Sequence, residues 1–429
     1  MSLALSCFEP GDHMLSVEQA RQAVLGLIKA PLASERVALA EAHGRVLSEP
    51  VFASFDVPGH TNAAMDGIAL AWPQVAEADQ HGDAEVASRG RQWLRVGEAL
   101  AGRPFAGVIG AGECVVITTG APLPTGTDTV IMQEQVEAQG DLFSICDPQL
   151  VRTGQNVRQA GEDIACGATA LAAGTRLDAA ALGMLASLGF AEVAVRRRAR
   201  VAVFSTGDEV TAPGERRGAA AIYDANRFSL MGLLREQGAE VMDLGIIVDD
   251  RQALIVGLRR AASMADLVVS SGGVSTGQAD HTRAALEQLG RLAVWRIALR
   301  PGRPMACGLL TEREVPFLGL PGNPVACMVT ALCFMIPMLR VMQGRESITE
   351  SWQGIAESHF ESRAGRTDFC RGVYRVDQQG NLRVVNTGEQ GSGILSSMVA
   401  ANCLVELSEQ SSGAGPGDMV AIHPLSKFV

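Results

Sequence analysis

The sequence predicts a multidomain protein of the α/β plus β class, and three observations support this prediction. A chain of 429 residues is too long for one ordinary hydrophobic core, so we expect two to four domains. Residues 199–342 alternate continuous apolar strands with amphipathic helices, a pattern typical of a doubly wound parallel sheet. Residues 46–150 and 346–429 contain short β-prone runs between Gly and Pro turns. They predict an N-terminal β domain and a C-terminal β-barrel or sandwich.

Two helices are predicted outside the α/β region. In residues 16–30, Ser16 and Gln19 have the spacing of a capping box, and the apolar residues that follow lie on one helical face. In residues 178–189, Asp178 is suited to cap the start of a helix, and Gly189 is suited to end it.

Composition argues against several classes of protein. Hydrophobic residues make up 47% of the chain and charged residues 19%, which is typical of a globular protein. The net charge of -11 argues against a nucleic-acid partner, because such proteins are usually basic. We also expect no apolar run of the roughly 18 residues that a membrane span requires, and no secretory signal.

Cysteine and lysine usage adds two expectations. The nine cysteines are scattered and form no CxxC pair, so we expect reduced, mostly buried thiols in the cytoplasm and no structural zinc site. Lys29 and Lys427 are the only lysines, and the other 34 basic residues are arginines. Codon bias explains this usage most simply, although it also affects the basic positions discussed below.

Polar and glycine-rich segments follow the strands of the predicted α/β sheet. They are Thr206, Gly207, Asp208 and Glu209; Asp249 and Asp250; Ser271, Gly272, Gly273 and Ser275; Arg300, Pro301, Gly302 and Arg303; and Pro321, Gly322, Asn323 and Pro324. Ligands of open α/β sheets bind at the carboxyl ends of the strands. Backbone N–H groups and arginines there would bind an oxyanion, and the carboxylates would tolerate it if Mg²⁺ lay between them. The pattern therefore predicts a phosphorylated ligand together with Mg²⁺.

Each of these segments also has a purely structural interpretation. Asp249, Asp250 and Asp280 precede predicted helices and could serve as N-caps. A Gly-Asp pair is common in turns, and Pro-Gly-Asn-Pro could be a rigid turn. Their shared position at one edge of one sheet favours ligand binding.

The first half of the chain contains four further candidates. Asp66 lies in a predicted turn before a strand, Thr119 lies in a Gly/Pro-rich loop, and Arg158 and Asp163 lie in a third polar segment. Each could bind a ligand or simply form a turn.

The motifs AAMDG, TTGAPLPTGTDTVIMQE, NVRQAGEDI, STGDE, SSGGVSTGQADHT, RPGRP, LPGNPV and GSGILSSM occur in this order along almost the whole chain. This ordered set resembles the molybdopterin molybdenumtransferase family, which includes the E domain of gephyrin. The resemblance implies a helical linking domain built from residues 15–45 and 150–198 and a β domain over 46–149. It further implies a molybdopterin-binding α/β domain over 199–343 and a C-terminal β-barrel over 344–429.

The resemblance also implies an activity: the insertion of molybdate into adenylated molybdopterin, with Mg²⁺-dependent hydrolysis of the adenylate and release of AMP. It implies a homodimer with shared active sites, in which Asp66 acts on the α/β domain of the other subunit. The adenylyltransferase of the same pathway and the client molybdoenzymes are further expected partners. Two alternatives remain open at this point: a molybdopterin adenylyltransferase, and a non-catalytic peptide-binding scaffold on the same fold.

Site residues follow from the resemblance by matching positions. The matching catalytic positions are Asp66, Asp163, Glu209, Asp249 and Asp280, of which Asp280 and Glu209 are also the expected Mg²⁺ ligands. The matching substrate-binding positions are Thr119, Arg158, Ser271, Gly272, Gly273, Ser275, Arg296, Arg300, Arg303, Pro321, Gly322, Asn323, Pro324, Arg371 and Ser397, with Arg371 and Ser397 expected to bind molybdate. Three features depart from the family pattern: Ile68 and His281 replace tyrosines, and arginines replace lysines at the basic positions. They bear on fine specificity, including the choice between molybdate and tungstate.

Overall fold

The structure, a computed structural model, describes residues 14–72, 92–273, 280–311, 313–347 and 350–425. The first helix, α1 (Val17–Leu25), confirms the predicted capping box. Its Gln19 N–H donates to the Ser16 hydroxyl at 3.1 Å, and the Ser16 N–H donates to the Gln19 side chain at 2.9 Å. The helix is shorter than predicted because Gly26 caps its end.

The N-terminal part of the chain consists mainly of short strands. In order, they are β1 (Ser34–Ala38), β2 (Val51–Phe52), β3 (Asn62–Ala63), β4 (Gly67–Leu70), β5 (Gln92–Ala99), β6 (Glu113–Ile117), β7 (Thr129–Met132), β8 (Val136–Gln139), β9 (Leu142–Ile145), β10 (Val157–Arg158), β11 (Thr169–Leu171) and, after helix α2 (Ala179–Ser187), β12 (Glu192–Arg196). The main sheet has the order β7-β4-β6-β5-β9-β8. Both of its faces are covered, because Ala69 packs into one core while Ile68 and Leu70 pack into another.

Smaller pairings join segments that are far apart in sequence. Strand β1 pairs with β12, β2 with β11 and β3 with β10, all antiparallel. Helix α2 begins as predicted, since the Asp178 carboxylate accepts from the Ala181 N–H at 2.9 Å, and Gly189 follows it at a φ of +79°. Residues before and after the β sheet therefore pack together, while the boundaries of the four domains remain a prediction.

The α/β region follows the predicted alternation. Its elements are β13 (Arg200–Ser205), β14 (Val210–Thr211), β15 (Ile222–Tyr223), α3 (Asn226–Glu236), β16 (Glu240–Ile246), α4 (Arg251–Met264), β17 (Leu267–Ser271), α5 (Asp280–Leu289), β18 (Gly290–Arg296), β19 (Leu299–Arg300), β20 (Pro304–Leu310), β21 (Val315–Leu320) and α6 (Pro324–Met342). The sheet order is β16-β13-β17-β21-β20-β18. Helices cover both faces, because Val201 and Val203 pack with α3 and α6 while Ala202 and Phe204 pack with α4 and α5. This arrangement confirms the doubly wound class.

One strand departs from the predicted parallel arrangement. Strand β20 runs antiparallel to both of its neighbours, β21 and β18. The connection between β20 and β21 spans only residues 311–314, and so short a connection can join only antiparallel neighbours. The sheet is therefore mixed, with parallel pairing from β16 through β13 and β17 to β21.

Helix α6 corrects the expectation about membrane-length segments. It has 19 residues, a mean hydropathy of 2.0 in its most apolar window, and therefore the length and composition of a membrane span. However, 72% of that window is buried inside the protein. The helix packs between α1 and the α/β sheet, which makes it a core helix.

The C-terminal region forms a barrel rather than a sandwich. Its elements are β22 (Trp352–Ala356), β23 (Phe360–Glu361), β24 (Thr367–Val376), β25 (Leu382–Asn386), α7 (Leu395–Ala400), β26 (Cys403–Leu407), β27 (Gly413–Ala414) and β28 (Met419–Pro424). Strands β24-β25-β22-β28-β26 are hydrogen-bonded in this order, and pairing of β26 with β24 closes the ring. Strand β19 of the α/β region joins the same sheet, with Arg300 opposite Asp368.

Candidate functional site

The strand ends of the α/β sheet meet at one edge. The Thr206 N–H donates to the Ser271 carbonyl at 3.1 Å, and the Gly272 N–H donates to the Leu320 carbonyl at 3.1 Å, so the ends of β13, β17 and β21 are neighbours. Arg296 lies opposite Pro304 in the ladder of β18 and β20. The connection that contains Arg300 and Arg303 is therefore at this same edge, as the sequence predicts.

Two glycines allow the backbone to pack closely there. Gly272 has a φ of +87°, and a Cβ at this position would lie 2.5 Å from the Thr206 carbonyl oxygen. Gly273 has a φ of +71°, and a Cβ there would lie 2.6 Å from the Thr282 hydroxyl. Any side chain at either position would be strained and crowded, so the edge presents bare backbone.

Asn226 is a residue that the sequence analysis missed. Its amide nitrogen donates to the Ser271 hydroxyl and to the Gly322 carbonyl, both at 2.7 Å. It therefore joins the Ser271 loop to the segment that contains Pro321, Gly322, Asn323 and Pro324, which leads into α6. The available signal was the position of Asn226, the first residue of a helix that follows the GDE segment.

The acidic residues of this edge have different environments. The Asp250 carboxylate caps α4 by accepting from the Gln252 and Ala253 N–H groups at 3.0 and 2.9 Å, which confirms that one of the pair is an N-cap. The Asp249 Oδ1 atom is buried without a hydrogen-bond partner in the described part of the chain, while Glu209 is exposed.

The predicted metal ligands are only partly visible. Asp280 is the first residue of α5, but its side chain and the whole of Ser275 lie outside the described residues. Within the described ranges, no group of three or more His, Cys, Asp or Glu side chains is arranged to hold a metal ion.

A buried ion network lies beneath the edge. The Arg227 guanidinium donates to Asp224 at 2.8 Å and forms a second, very short contact with Asp243. Burial lowers the pKa of Arg227, but the hydrogen bonds with the two carboxylates outweigh it and raise the pKa. The Asp224 carboxylate also accepts from the Ser205 hydroxyl at 2.9 Å. Arg227 thus has both of its counter-ions within the protein.

A cleft of about 490 Å³ lies where the α/β region meets the barrel. Its charged lining comprises Arg300 and Arg371 together with the carboxylates of Asp368, Glu361 and Glu389, and His359 and residues of the loop after β25 also line it. The Asp368 carboxylate is held by the Ser362 hydroxyl at 2.6 Å and forms an ion pair with Arg366 at 3.1 Å. Asp368, the carboxylate nearest to Arg371 in sequence, is therefore neutralised by Arg366.

Arg371 is the most unusual side chain of this cleft. It is only 1% exposed, and its Nε donates to the Ser397 hydroxyl at 3.1 Å, while a terminal nitrogen donates to the Gly391 carbonyl at 3.2 Å. No described carboxylate pairs with it. Burial lowers the pKa of the Arg371 guanidinium, and the charge of Arg300 lowers it further. Two positive charges therefore share a cleft wall, and both favour an anion.

The other predicted basic residues are solvent-accessible. Arg296 and Arg303 are exposed, and Arg300 is half-buried. None of these three side chains has a carboxylate partner among the described residues. All three could therefore bind a phosphorylated ligand at the sheet edge.

Two of the N-terminal candidates, Asp66 and Thr119, are in direct contact. The Asp66 carboxylate accepts from the Thr119 backbone N–H at 2.7 Å and from the Thr119 hydroxyl at 2.9 Å. These hydrogen bonds, the backbone one first, lower the pKa of Asp66 below its ordinary value. Arg158 lies opposite Asn62 in the pairing of β10 with β3, and Asn62 precedes Asp66 by four residues. Arg158 and Asp163 are exposed.

Within one chain, the described contacts do not connect Asp66 to the edge of the α/β sheet. Asp66 forms no hydrogen bond or ion pair with any described residue of 199–343. The predicted site residues thus fall on two surfaces: one around Asp66 and Thr119, and one at the sheet edge and the adjoining cleft.

Comparison with known proteins gives matches along the whole chain. Residues 15–189 match the MoeA N-terminal region (domain I and II), residues 202–341 match a probable molybdopterin binding domain, and residues 353–425 match the MoeA C-terminal region (domain IV). A molybdopterin molybdenumtransferase of Haemophilus influenzae is 38% identical, covering 97% of this chain and 100% of the relative. Those of Nostoc sp. and Mycobacterium tuberculosis (enzyme 1) are 33% and 31% identical, over 87% and 96% of this chain and 85% and 100% of the relatives.

Solved structures agree with this result. Two crystal structures of the molybdopterin biosynthesis MoeA protein from Pyrococcus horikoshii superpose with TM-scores of 0.80 and 0.77. They are 28% and 29% identical and cover 96% and 97% of this chain and 100% of theirs. The relatives extend over the N-terminal sheet, the α/β region and the barrel together. The chain therefore belongs to the molybdopterin molybdenumtransferase family.

Proposed function

We propose that this protein inserts molybdate into adenylated molybdopterin in the biosynthesis of the molybdenum cofactor. The single observation that supports this most strongly is the buried Arg371, which has no counter-ion among the described residues and faces a cleft shared with Arg300. Molybdate is a tetrahedral dianion, and two guanidinium groups supply charge-assisted hydrogen bonds to such an anion. The Ser397 hydroxyl, expected from the sequence to bind molybdate, instead accepts from Arg371 and donates to the Ile394 carbonyl at 2.6 Å. Family membership supplies the reaction, since relatives bear the name molybdopterin molybdenumtransferase.

The sheet edge would hold the adenylated pterin. Hydrolysis of the adenylate breaks one phosphorus–oxygen bond of the phosphoanhydride, adds the elements of water, and releases AMP. Such a step requires positioned cations and backbone donors more than covalent help. Arg296, Arg300 and Arg303 would bind the phosphates, and the bare backbone at Gly272 and Gly273 would allow their close approach.

We assign Mg²⁺ to the acidic residues of the same edge. The orphaned, buried Oδ1 of Asp249 is a hard oxygen donor of the kind that Mg²⁺ prefers, and Glu209 and Asp280 are the other candidate ligands. Mg²⁺ usually binds through one or two carboxylates together with substrate phosphates, so a complete protein cage is not required. When bound, it would neutralise the charge that develops on the phosphoanhydride.

The cluster around Asp66 is assigned to the active site of a partner subunit in a homodimer. Asp66, Thr119, Arg158 and Asp163 are all exposed, and no ion pair of the three charged side chains is found among the described residues. A mixing experiment tests this assignment. Asp66→Ala and Arg371→Ala homodimers should each be inactive, and their mixture should regain activity, because one of the two sites in a heterodimer is intact. If subunit exchange is confirmed and activity does not recover, the shared site is contradicted.

The alternative functions are not favoured. A molybdopterin adenylyltransferase requires only the α/β region, whereas full-length relatives match this chain at both ends as well. The adenylyltransferase instead remains a proposed partner that supplies the substrate, and molybdoenzymes remain the proposed clients. A cytoplasmic location is part of the proposal, supported by cysteines that are free wherever the structure describes them.

The activity is tested directly with purified protein, adenylated molybdopterin, Mg²⁺ and molybdate. We expect AMP release, measured by chromatography, and reconstitution of an apo-molybdoenzyme by the product. Absence of both AMP and reconstitution would refute the proposed function, and omission of Mg²⁺ should abolish AMP release.

A further inference from the structure

The side chain of Gln390 holds the loop after β25 against the backbone of Arg371. The Arg371 backbone N–H donates to the Gln390 Oε1 atom at 2.8 Å. The Gln390 amide nitrogen donates back to the Arg371 carbonyl at 3.1 Å and also to the Thr387 hydroxyl at 3.2 Å. A single primary amide thus binds both backbone groups of the residue that faces the anion cleft.

Gln390 completes the hydrogen bonding of the Arg371 backbone on one side of β24. On the other side, Arg371 pairs with Leu404 of β26. The ladder with β25 ends at Asn386, opposite Gly372, and beyond it the Thr387 N–H still donates to the Arg371 carbonyl at 3.1 Å. The side-chain amide of Gln390 supplies the acceptor for the Arg371 N–H, which would otherwise need another partner, and a second donor to the Arg371 carbonyl.

The same loop connects the barrel to the sheet edge. The Gly391 carbonyl accepts from the Arg371 guanidinium at 3.2 Å, and the Ser392 carbonyl accepts from the Val325 N–H at 3.0 Å, in the first turn of α6. All protein groups that contact Arg371 in this way are uncharged. The loop therefore fixes the position of the guanidinium without neutralising it.

We propose that Gln390, which lines the cleft, is a positioning residue for oxyanion binding and acts through the backbone of Arg371. This inference rests on the proposed function of the cleft. Displacement of a binding group by about 1 Å can cost on the order of 100-fold in activity. Loss of the Gln390 clamp should therefore weaken the binding of the oxyanion while leaving the adenylated pterin unaffected.

The test uses the full chain and four variants. Gln390→Met keeps the side-chain volume and removes both hydrogen-bonding functions. Gln390→Glu retains the acceptor for the Arg371 N–H but places a negative charge beside the cleft. Arg371→Met removes the guanidinium itself. Gln379→Ala is the matched control, because Gln379 lies exposed in a turn of the same barrel, and its side chain makes no hydrogen bond in the described structure.

The readouts are the Kd for molybdate alone, measured by calorimetry, and the KM values for molybdate and for adenylated molybdopterin. For Gln390→Met we expect a molybdate Kd and KM on the order of 10- to 100-fold higher, with kcat at saturating molybdate and the KM for the pterin unchanged. Gln390→Glu should weaken molybdate binding at least as much, and Gln379→Ala should not differ from the wild type.

Two results would overturn the inference. One is an unchanged molybdate Kd in both Gln390 variants. The other is a parallel loss in kcat, in the KM for the pterin and in Tm, which would indicate a general structural role. If Gln390→Met fails to fold, a fifth variant, Gln390→Asn, carries the same test, because it keeps an uncharged amide but is one methylene too short to reach the Arg371 backbone in the same way. Failure of the wild type to bind molybdate would refute the proposed function itself, which distinguishes the two hypotheses.

Discussion

Two buried arginines of this protein have opposite surroundings. Arg227, beneath the α/β sheet edge, is 6% exposed and lies between the carboxylates of Asp224 and Asp243. Arg371, in the barrel, is 1% exposed, and within the described part of the chain its guanidinium donates to the Ser397 hydroxyl and the Gly391 carbonyl. Both side chains carry the same charge out of water, but among the described residues only Arg227 has carboxylate partners.

The difference in counter-ions distinguishes Arg227, whose charge serves the fold, from Arg371, whose charge we assign to ligand binding. Burial of an ion without a partner costs several kcal/mol, so a fold keeps such a group only where something else compensates. The charge of Arg227 is compensated in the folded protein by the carboxylates of Asp224 and Asp243. Arg371 is left for an anion from solution, which is the reason that we assign the cleft to molybdate.

The largest expected effect comes from breaking the compensated network. Asp224→Asn would leave Arg227 with Asp243 alone, and removal of one partner of a buried ion pair typically costs about 3–5 kcal/mol. We expect the free energy of unfolding, measured by urea denaturation, to fall by this amount. The control is Glu240→Gln on the neighbouring strand, whose ion pair with Arg200 is exposed and should contribute less than about 1 kcal/mol. Equal losses in the two variants would remove the distinction between the sites.

A smaller effect, of the opposite kind, is expected at the uncompensated site. Arg371→Met should leave the free energy of unfolding unchanged or raised, because it removes a buried charge that has no carboxylate partner in the described structure. Molybdate binding should weaken by about 1.5–3 kcal/mol, or roughly 10- to 150-fold in Kd, the usual contribution of a hydrogen bond to a charged group.

The matched control for Arg371→Met is Arg375→Met on the same strand. Arg375 is exposed and pairs with Glu357 at 2.9 Å on the surface of the barrel. We expect this variant to bind molybdate like the wild type. A large loss of stability in Arg371→Met without loss of binding would assign Arg371 to the fold rather than to the ligand.

The smallest effect is expected at Asp66, whose charge is stabilised by neutral donors instead of a counter-ion. Thr119→Val removes the hydroxyl donor at 2.9 Å but keeps the backbone donor at 2.7 Å, so the pKa of Asp66 should rise toward its ordinary value. A lowered pKa favours the ionised form until the pH falls through it. The acidic limb of the pH–rate profile should therefore move to higher pH, while the rate near pH 7 changes little.

NMR titration of the Asp66 carboxyl would measure this shift independently of turnover. Thr118→Val is the control, because the Thr118 hydroxyl accepts from the Ala101 N–H at 3.1 Å and does not contact Asp66. An unchanged pKa of Asp66 in Thr119→Val would show that the hydroxyl does not stabilise the charge.

Local features of the fold could be predicted from the sequence, since they depend on neighbouring residues. The Ser16 capping box, the Asp178 cap and the Gly189 terminus are short-range patterns, and the structure has all three. The antiparallel direction of β20 could not be read from its composition, because a buried strand is apolar whichever way it runs. The short helix α7 within the barrel was missed for a related reason: tertiary packing, rather than a periodic pattern, decides so short a segment.

The residues of the candidate site remain a prediction, and their contacts could not be predicted from the sequence. The motifs contain Asp66 and Thr119, and the resemblance adds Arg371, but the contact between Asp66 and Thr119 spans 53 positions of the chain. The absence of a described carboxylate around Arg371 depends on burial and on the way in which β24, α7 and the loop after β25 pack together. Gln390 immediately precedes the GSGILSSM motif, and its hydrogen bonds to a backbone 19 residues away have no local signature.

Strand β19 belongs to the α/β region by sequence and to the barrel sheet by hydrogen bonding, with Leu299 opposite Thr367 and Arg300 opposite Asp368. The two regions are therefore not interchangeable modules. A chimera that takes its barrel from a relative would have to take residues 297–303 from the same source, since otherwise a strand from one parent would have to pair with a sheet from the other. The connection between β18 and β20 therefore contributes a strand to the barrel sheet although it lies within the α/β region. Recombination between relatives should be tolerated only where it moves this connection and the barrel together.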